Sequence, residues 1–202
     1  MFDEVEVLDM AGPFEVFSVA ARLSARGGGM PRFRVATIAP APGPITARGG
    51  VTVLPSHDFA TAPPLDLLVV AGGVGSGVLS RPESLAWIRE AAGSAALTAS
   101  VCTWAFLPAF LLAKSPRQVS GPRPGFWARA VTAHWEDADD LAAAYPALDI
   151  KPGPLWVDSG EIVTSAGIVA GISAGIEMSL HLVRRLAGGA LAKGTARQTG
   201  YD

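Results

Sequence analysis

Residues 97–106, LTASVCTWAF, decide the fold. Leu97 to Val101 reads as a strand that runs straight into Cys102, and Ala105 to Ala113 follows as a helix, with Pro108 inside it. A buried strand that hands a cysteine directly to a helix makes a sharp elbow, which presents the side chain at the carboxyl edge of a sheet. The N–H groups and dipole of the following helix favour a thiolate there. The same ten residues also accommodate an inert buried cysteine, a common state of that residue.

Outward from this stretch, strands and helices alternate. Leu65 to Ala71 (LDLLVVA) is a nearly continuous apolar run closed by Gly72 and Gly73, the pattern of a parallel strand buried on both faces. Those glycines either form a tight turn or bring backbone N–H donors up to a ligand. The GGVG sequence at 72–75 lacks the following helix that a dinucleotide fingerprint needs. Phe33 to Ala39 reads as a strand, and Val51 to Pro55 as a short one. Pro13 to Leu23 reads as a helix with Phe14, Phe17 and Ala21 at helical spacing and proline in its first turn. Pro82 to Ala92 reads as a helix capped by Ser80, and Glu136 to Tyr145 as another. Leu155–Val157 and Glu161–Ser165 form a hairpin, and helices follow over Gly175–Leu186 and Leu191–Gln198. This alternation predicts an α/β fold with a doubly wound, mostly parallel sheet. No linker divides the 202 residues, so a single domain over 1–202 is expected, with an exposed loop at Ser115–Gly125.

Composition excludes several classes. Half of the residues are hydrophobic and 17% are charged, which fits a well-packed core and not disorder. A formal net charge of -2 gives no electrostatic pull toward nucleic acid or an anionic membrane. One cysteine allows no intrachain disulfide, and His57, His134 and His181 have no metal-ligand spacing, so no metal is expected. The N-terminus MFDEVEVLD does not read as a signal peptide, and no apolar run reaches the roughly 18 residues of a membrane span. The expected location is the cytoplasm.

Beside Cys102, three further residues could take part in chemistry. Asp9 stands just before a Gly-Pro turn and either caps a helix or projects into a site at the sheet edge. Glu15 is a second acid within the same helix. His134, in TAHW, is either a base for the cysteine or a structural residue beside Trp135. His57 and His181 read as structural.

Taken in order, LDMAGPFEVF, DLLVVAGG, SVCT, AHW, TSAGI, AGIEMSLHLV and ARQTGYD resemble the stand-alone ThiJ/PfpI proteins, a superfamily of class I glutamine amidotransferase-like domains. They are most similar to its isonitrile-hydratase-like branch and to the amidase-like domain that precedes some AraC-type regulators. The resemblance covers nearly the whole chain. It implies a flavodoxin-like sandwich, usually a homodimer, acting on a small molecule without cofactor, nucleic acid or membrane. The implied reaction is addition of water to an isonitrile, giving an N-substituted formamide. Cys102 would attack the isonitrile carbon, Asp9 would handle protons and position water, Thr103 would orient the intermediate, and Gly72 and Gly73 would supply backbone donors. The PfpI proteases have histidine directly after the cysteine, where this chain has Thr103.

Four departures from the family pattern stand out. An apolar run such as IAILLF precedes FDEVEVLD in the family, and here Met1 and Phe2 remain of it, so the first strand is expected to be truncated and core surface exposed. Trp104 replaces a glycine two residues after the cysteine. Pro108 and the Ser115–Phe126 stretch match nothing, and the interval from Cys102 to His134 is about a dozen residues long in excess. TSAGIVAGISAGIEM carries four extra residues, about one helical turn, with Glu177 where the family has aspartate. These departures keep a second reading open, a noncatalytic relative that senses a ligand or the redox state through Cys102.

Overall fold

A computed structural model of the chain describes residues 1–74, 81–102, 130–133, 138–146, 148–151, 153–166 and 173–201. Its centre is a four-stranded sheet. Strands β5 (Leu67–Val70), β6 (Leu97–Val101) and β10 (Ile162–Ser165) run parallel, and β9 (Trp156–Asp158) closes the far edge antiparallel to β10. Register is set by Val69 opposite Ala99 and by Thr164 opposite Ser100. Strand β6 lies between two neighbours and is buried at all five positions, as its composition requires of a central strand. The other strands form two-residue pairs: β1 (Ile38–Ala39) parallel to β4 (His57–Asp58), β2 (Ile45–Thr46) antiparallel to β3 (Thr52–Val53), and β7 (Ala130–Val131) parallel to β8 (Asp149–Ile150).

Alternation along the strands divides the interior into two cores. Leu97, Ala99, Val101 and Val163 face helices α1 (Val7–Ser24), α4 (Ala174–Ala187) and α5 (Gly189–Thr199), through Val16, Ala20, Met178, Leu182 and Ala192. Leu68, Val70 and Ile162 face the other way, toward Ile88 and Ala92 of α2 (Pro82–Ser94) and Leu141 of α3 (Ala138–Ala144). Helices on both faces of a mostly parallel sheet make this the flavodoxin-like, doubly wound α/β fold that the sequence predicts.

Three local expectations are corrected. Helix α1 begins at Val7, so Pro13 lies inside it and not in its first turn. The helix tolerates this because proline removes one bond, the one otherwise directed to the carbonyl of Asp9. Helix α2 is capped at Arg81, with no side-chain hydrogen bond, in place of the expected Ser80 cap; Pro82 at its first position supplies the helical φ. Of the strand expected at 33–39, Ile38 and Ala39 alone enter a ladder. The rest borders a cleft of about 1000 Å³ that separates residues 31–38 from residues 65–71. Apolar side chains of β5 line this cleft. The readings at Trp104, Pro108, the 105–113 helix, the Ser115–Phe126 stretch and residues 167–172 of TSAGIVAGI fall outside the described residues.

No helix among the described residues is long and apolar enough to cross a membrane.

Candidate active site

Strand β6 ends at Cys102, whose φ of 57° places it in the left-handed region. A non-glycine residue there costs on the order of 1–3 kcal/mol and persists only where its surroundings hold it. This strained turn lifts the thiol out of the strand direction, and the side chain remains half-buried. Directly beside it, β5 ends in Ala71, Gly72 and Gly73, all buried. A Cβ added at Gly72 would strike the carboxylate of Asp9 and lie 2.7 Å from the Cβ of Cys102 and 2.8 Å from the carbonyl oxygen of Val101. Glycine is needed here for closeness: the acid and the thiol meet across the space a side chain would take.

Gly73, at φ 141°, is pressed against the backbone of Glu4 to Glu6. The N–H of Glu6 donates to the Gly72 carbonyl at 2.9 Å, and the N–H of Val74 donates to Glu4 at 3.0 Å. These bonds fix the start of α1 over the end of β5, and so aim its third residue, Asp9, at the elbow.

Asp9 is fully buried. Burial pushes its carboxyl from 3.8 up to about 7, and the neighbouring charge of Glu6 pushes in the same direction. The Cys102 side chain and the Gly72 backbone face it and favour the ionised form, but burial outweighs them. Neither carboxylate oxygen has a partner at full hydrogen-bond geometry. An acid held near neutrality, in contact with a thiol and short of partners, can give or take a proton in mid-range pH.

The other expected residues fall elsewhere. Glu15 is exposed on the outer side of α1, paired with Arg22 at 3.0 Å, and does not reach the elbow. Thr103 and His134 lie outside the described residues. His57 sits in β4, and His181 stacks on Trp156 at a ring distance of 3.8 Å while bonding Asp158 at 2.7 Å, so both belong to the framework. Arg185 binds the same Asp158 at 2.9 Å and the Gly160 carbonyl at 2.7 Å, which ties the β9–β10 hairpin to α4. This cluster is not legible in the sequence beyond the presence of its residue types. No group of three metal-ligating side chains is found among the described residues.

No family model matches the chain. Among characterised proteins it is 28% identical over 184 residues to the isonitrile hydratase of Pseudomonas putida, covering 91% of this chain and 70% of that enzyme. It is 33% identical over 150 residues to an uncharacterized protein in the cpoL 5' region of Streptomyces lividans, covering 73% of this chain and 92% of that protein. An HTH-type transcriptional regulator of Pseudomonas aeruginosa, GbdR, matches all of this chain at 24% identity with 49% of its own length. Among solved structures, a ThiJ/PfpI family protein from Pseudomonas syringae superimposes with a TM-score of 0.75 over 100% of this chain and 73% of that one, at 22% identity. Drosophila melanogaster DJ-1beta does so with a TM-score of 0.74, at 16% identity, over 100% and 95%. An elbow cysteine at the end of the central strand, relatives matched along most of the chain and a shared fold over its whole length agree: the chain belongs to the ThiJ/PfpI superfamily.

Proposed function

We propose that the protein is a cysteine-dependent enzyme that hydrates isonitriles to N-substituted formamides. The observation that carries this reading is the contact between a strained elbow cysteine and a buried carboxyl held near neutrality. An isonitrile carbon is attacked by a nucleophile and must also receive a proton, so one thiol and one acid together meet its needs.

The thiolate of Cys102 forms an S–C bond to the isonitrile carbon, and protonated Asp9 delivers its proton to that same carbon. The product is a thioimidate, R–N=CH–S–Cys. Asp9, now a carboxylate, takes a proton from a water molecule as its oxygen adds to the carbon, and passes that proton to the nitrogen. Collapse of the tetrahedral adduct breaks the C–S bond, returns the thiolate, gives the hydroxyl proton back to Asp9 and releases R–NH–CHO. One water is consumed and the enzyme is regenerated. Thr103 would orient the intermediate, and Gly72 and Gly73 would offer backbone donors, as the family resemblance implies. Purified protein given an alkyl isonitrile should form the formamide, detected by mass spectrometry, and Cys102→Ala should reduce turnover by at least 10³-fold, the scale of losing a covalent nucleophile. Formamide at the buffer rate with the unaltered protein would end the enzymatic reading.

A second reading, a noncatalytic ligand or redox sensor, is favoured by the match of the whole chain to half of a transcriptional regulator. It predicts binding without turnover, or ready oxidation of Cys102 by peroxide. The partner is a small molecule in both readings, and a homodimer in the cytoplasm is the expected form; sedimentation of the purified protein tests the assembly.

A further inference from the structure

Asp9 is the third residue of α1, and Glu6 is the residue that caps the helix. An acid at that third position ordinarily folds back to accept from the N–H of the cap residue. Here the N–H of Glu6 donates to the Gly72 carbonyl at 2.9 Å. The Asp9 carboxyl is left without that partner and faces the Cys102 thiol. The bond that seats α1 on the end of β5 therefore also frees the acid for the elbow.

The same geometry puts a second carboxylate beside the first. Side chains three positions apart at a helix start lie ~5–6 Å from one another. The Glu6 side chain is 23% exposed, so solvent screens its charge only in part. The groups that bear on Asp9 come from every element around it. Strand β6 brings the Cys102 thiol, β5 brings the Gly72 amide, and α1 itself brings Glu6. Helix α4 approaches α1 with Gly175 and Ile176, which carry no charge. Among the described residues, Glu6 is the charged group that acts on Asp9.

A cation reaches Glu6 from another part of the chain. Arg48 precedes Gly49 and Gly50, whose φ values of 84° and 90° turn β2 back into β3. This hairpin is fastened to residues 3–5. The N–H of Glu4 donates to Thr46 at 2.8 Å, the N–H of Arg48 donates to Val5 at 2.9 Å, and the N–H of Thr46 donates to the Asp3 carboxylate at 2.9 Å. The guanidinium of Arg48 then lies 3.8 Å from the Glu6 carboxylate. A pair this long, with Arg48 61% exposed, contributes little to stability. Its reach toward the elbow is its distinctive feature: Arg48, Glu6, Asp9 and Cys102 follow one another from the surface to the thiol.

We propose that Glu6 is a positioning residue that acts through Asp9, its negative charge keeping the proton on the Asp9 carboxyl, and that Arg48 on the β2–β3 hairpin moderates that charge from the surface. The inference rests on the proposed role of Asp9 as proton donor, and names what holds the proton there. The test is the alkylation rate of Cys102 against pH, which needs no isonitrile. Two unit charges ~6 Å apart in water-like surroundings are worth about half a pH unit. Glu6→Gln should therefore move the Asp9 inflection down by about 0.5 or more, and Glu6→Asp, which keeps the charge, should leave it in place. Arg48→Glu should move it the other way, up by roughly 0.3, and added salt should shrink both displacements. A merely structural role for Glu6 or Arg48 would not give opposite directions. An inflection unmoved by Glu6→Gln, or moved the same way by Glu6→Gln and Arg48→Glu, would overturn this proposal and leave the reaction standing. A profile in the unaltered protein with no inflection that Asp9→Asn removes would overturn both.

Discussion

Asp9 stands in the first turn of α1, where the helix dipole favours a carboxylate, yet burial holds it protonated up to about pH 7. Desolvation wins because the dipole is worth at most about 2 kcal/mol, less than full removal of a charge from water costs. Its neighbour Cys102 should therefore titrate as one of a coupled pair. The alkylation rate of Cys102 plotted against pH should show an inflection near 7 from Asp9, and Asp9→Asn should reduce the profile to a single titration. Superimposable profiles would mean that the carboxyl and the thiol do not communicate. Gly72 supplies a second test. Gly72→Ala forces a methyl into the carboxylate of Asp9 and the Cβ of Cys102, so it should destabilise by roughly 1–3 kcal/mol, the scale of overpacking, and slow thiol alkylation. Urea unfolding and the same alkylation assay check both effects. The importance of Gly72 was legible as a glycine closing an apolar strand. That Asp9 and not Glu15 meets the thiol was not: six residues apart on a helix, they point about 120° from each other, and the sequence does not say which direction faces the sheet.

The elements that the sequence specified best were those whose pattern leaves no alternative. LDLLVVA and LTASV are short, largely apolar and bounded by Gly-Gly and a cysteine elbow, and both form strands, which pair in parallel with each other. Helix α1 was misread at its start because proline most often opens a helix, and only the contact of residues 4–6 with Gly72 to Val74 shows the earlier beginning. The strand at 33–39 was overread because its pairing partner, and not its own propensity, decides whether a ladder forms. Helix α4 carries a constraint that propensity opposes. Alanine is better than glycine within a helix by about 1 kcal/mol, but a Cβ at Gly175 would lie 2.8 Å from Cγ1 of Val101, the residue before the elbow, and 3.7 Å from Pro13. Because Val101 is a β-branched side chain locked in the central strand, it cannot swing away cheaply. Gly175→Ala should therefore lower the urea midpoint despite its better propensity. Val101→Ala is destabilising on its own, and adding Gly175→Ala to it should cost little or nothing further. A full, additive penalty in the double variant would show that the clash is not the cause.

Three ionisable groups in different parts of the fold shape stability against pH, and their signs differ. Burial pushes Asp158 up, but the hydrogen bonds from His181 and Gly160 and the charge of Arg185 outweigh it and hold the carboxyl below its ordinary value. Its contribution is present above the unfolded value near 3.8 and is lost as pH falls through the lower folded one. Asp9 acts in the opposite sense: its folded value of about 7 lies above 3.8, so its contribution is full below 3.8 and is lost as pH rises to 7. Between pH 5 and 7 this loss is on the order of 2–3 kcal/mol, at about 1.36 kcal/mol per unit. The Met1 amine, lowered by burial from 8.0 to about 6, stabilises the fold above 8 and withdraws that stability as pH falls through 6. The sum is a curve that rises from strong acid, falls between pH 5 and 7, and recovers partly by pH 8.5. Asp9→Asn should remove the fall and leave a monotonic rise, while Asp158→Asn should flatten the acid limb alone. Joining the Met1 nitrogen to further chain should remove the recovery. Urea midpoints measured at pH 3.5, 5, 7 and 8.5 separate these three changes. If the unaltered protein were no less stable at pH 7 than at pH 5, the buried carboxyl would have to be ionised at neutral pH, and the proton that the proposed reaction requires of Asp9 would not be there to give.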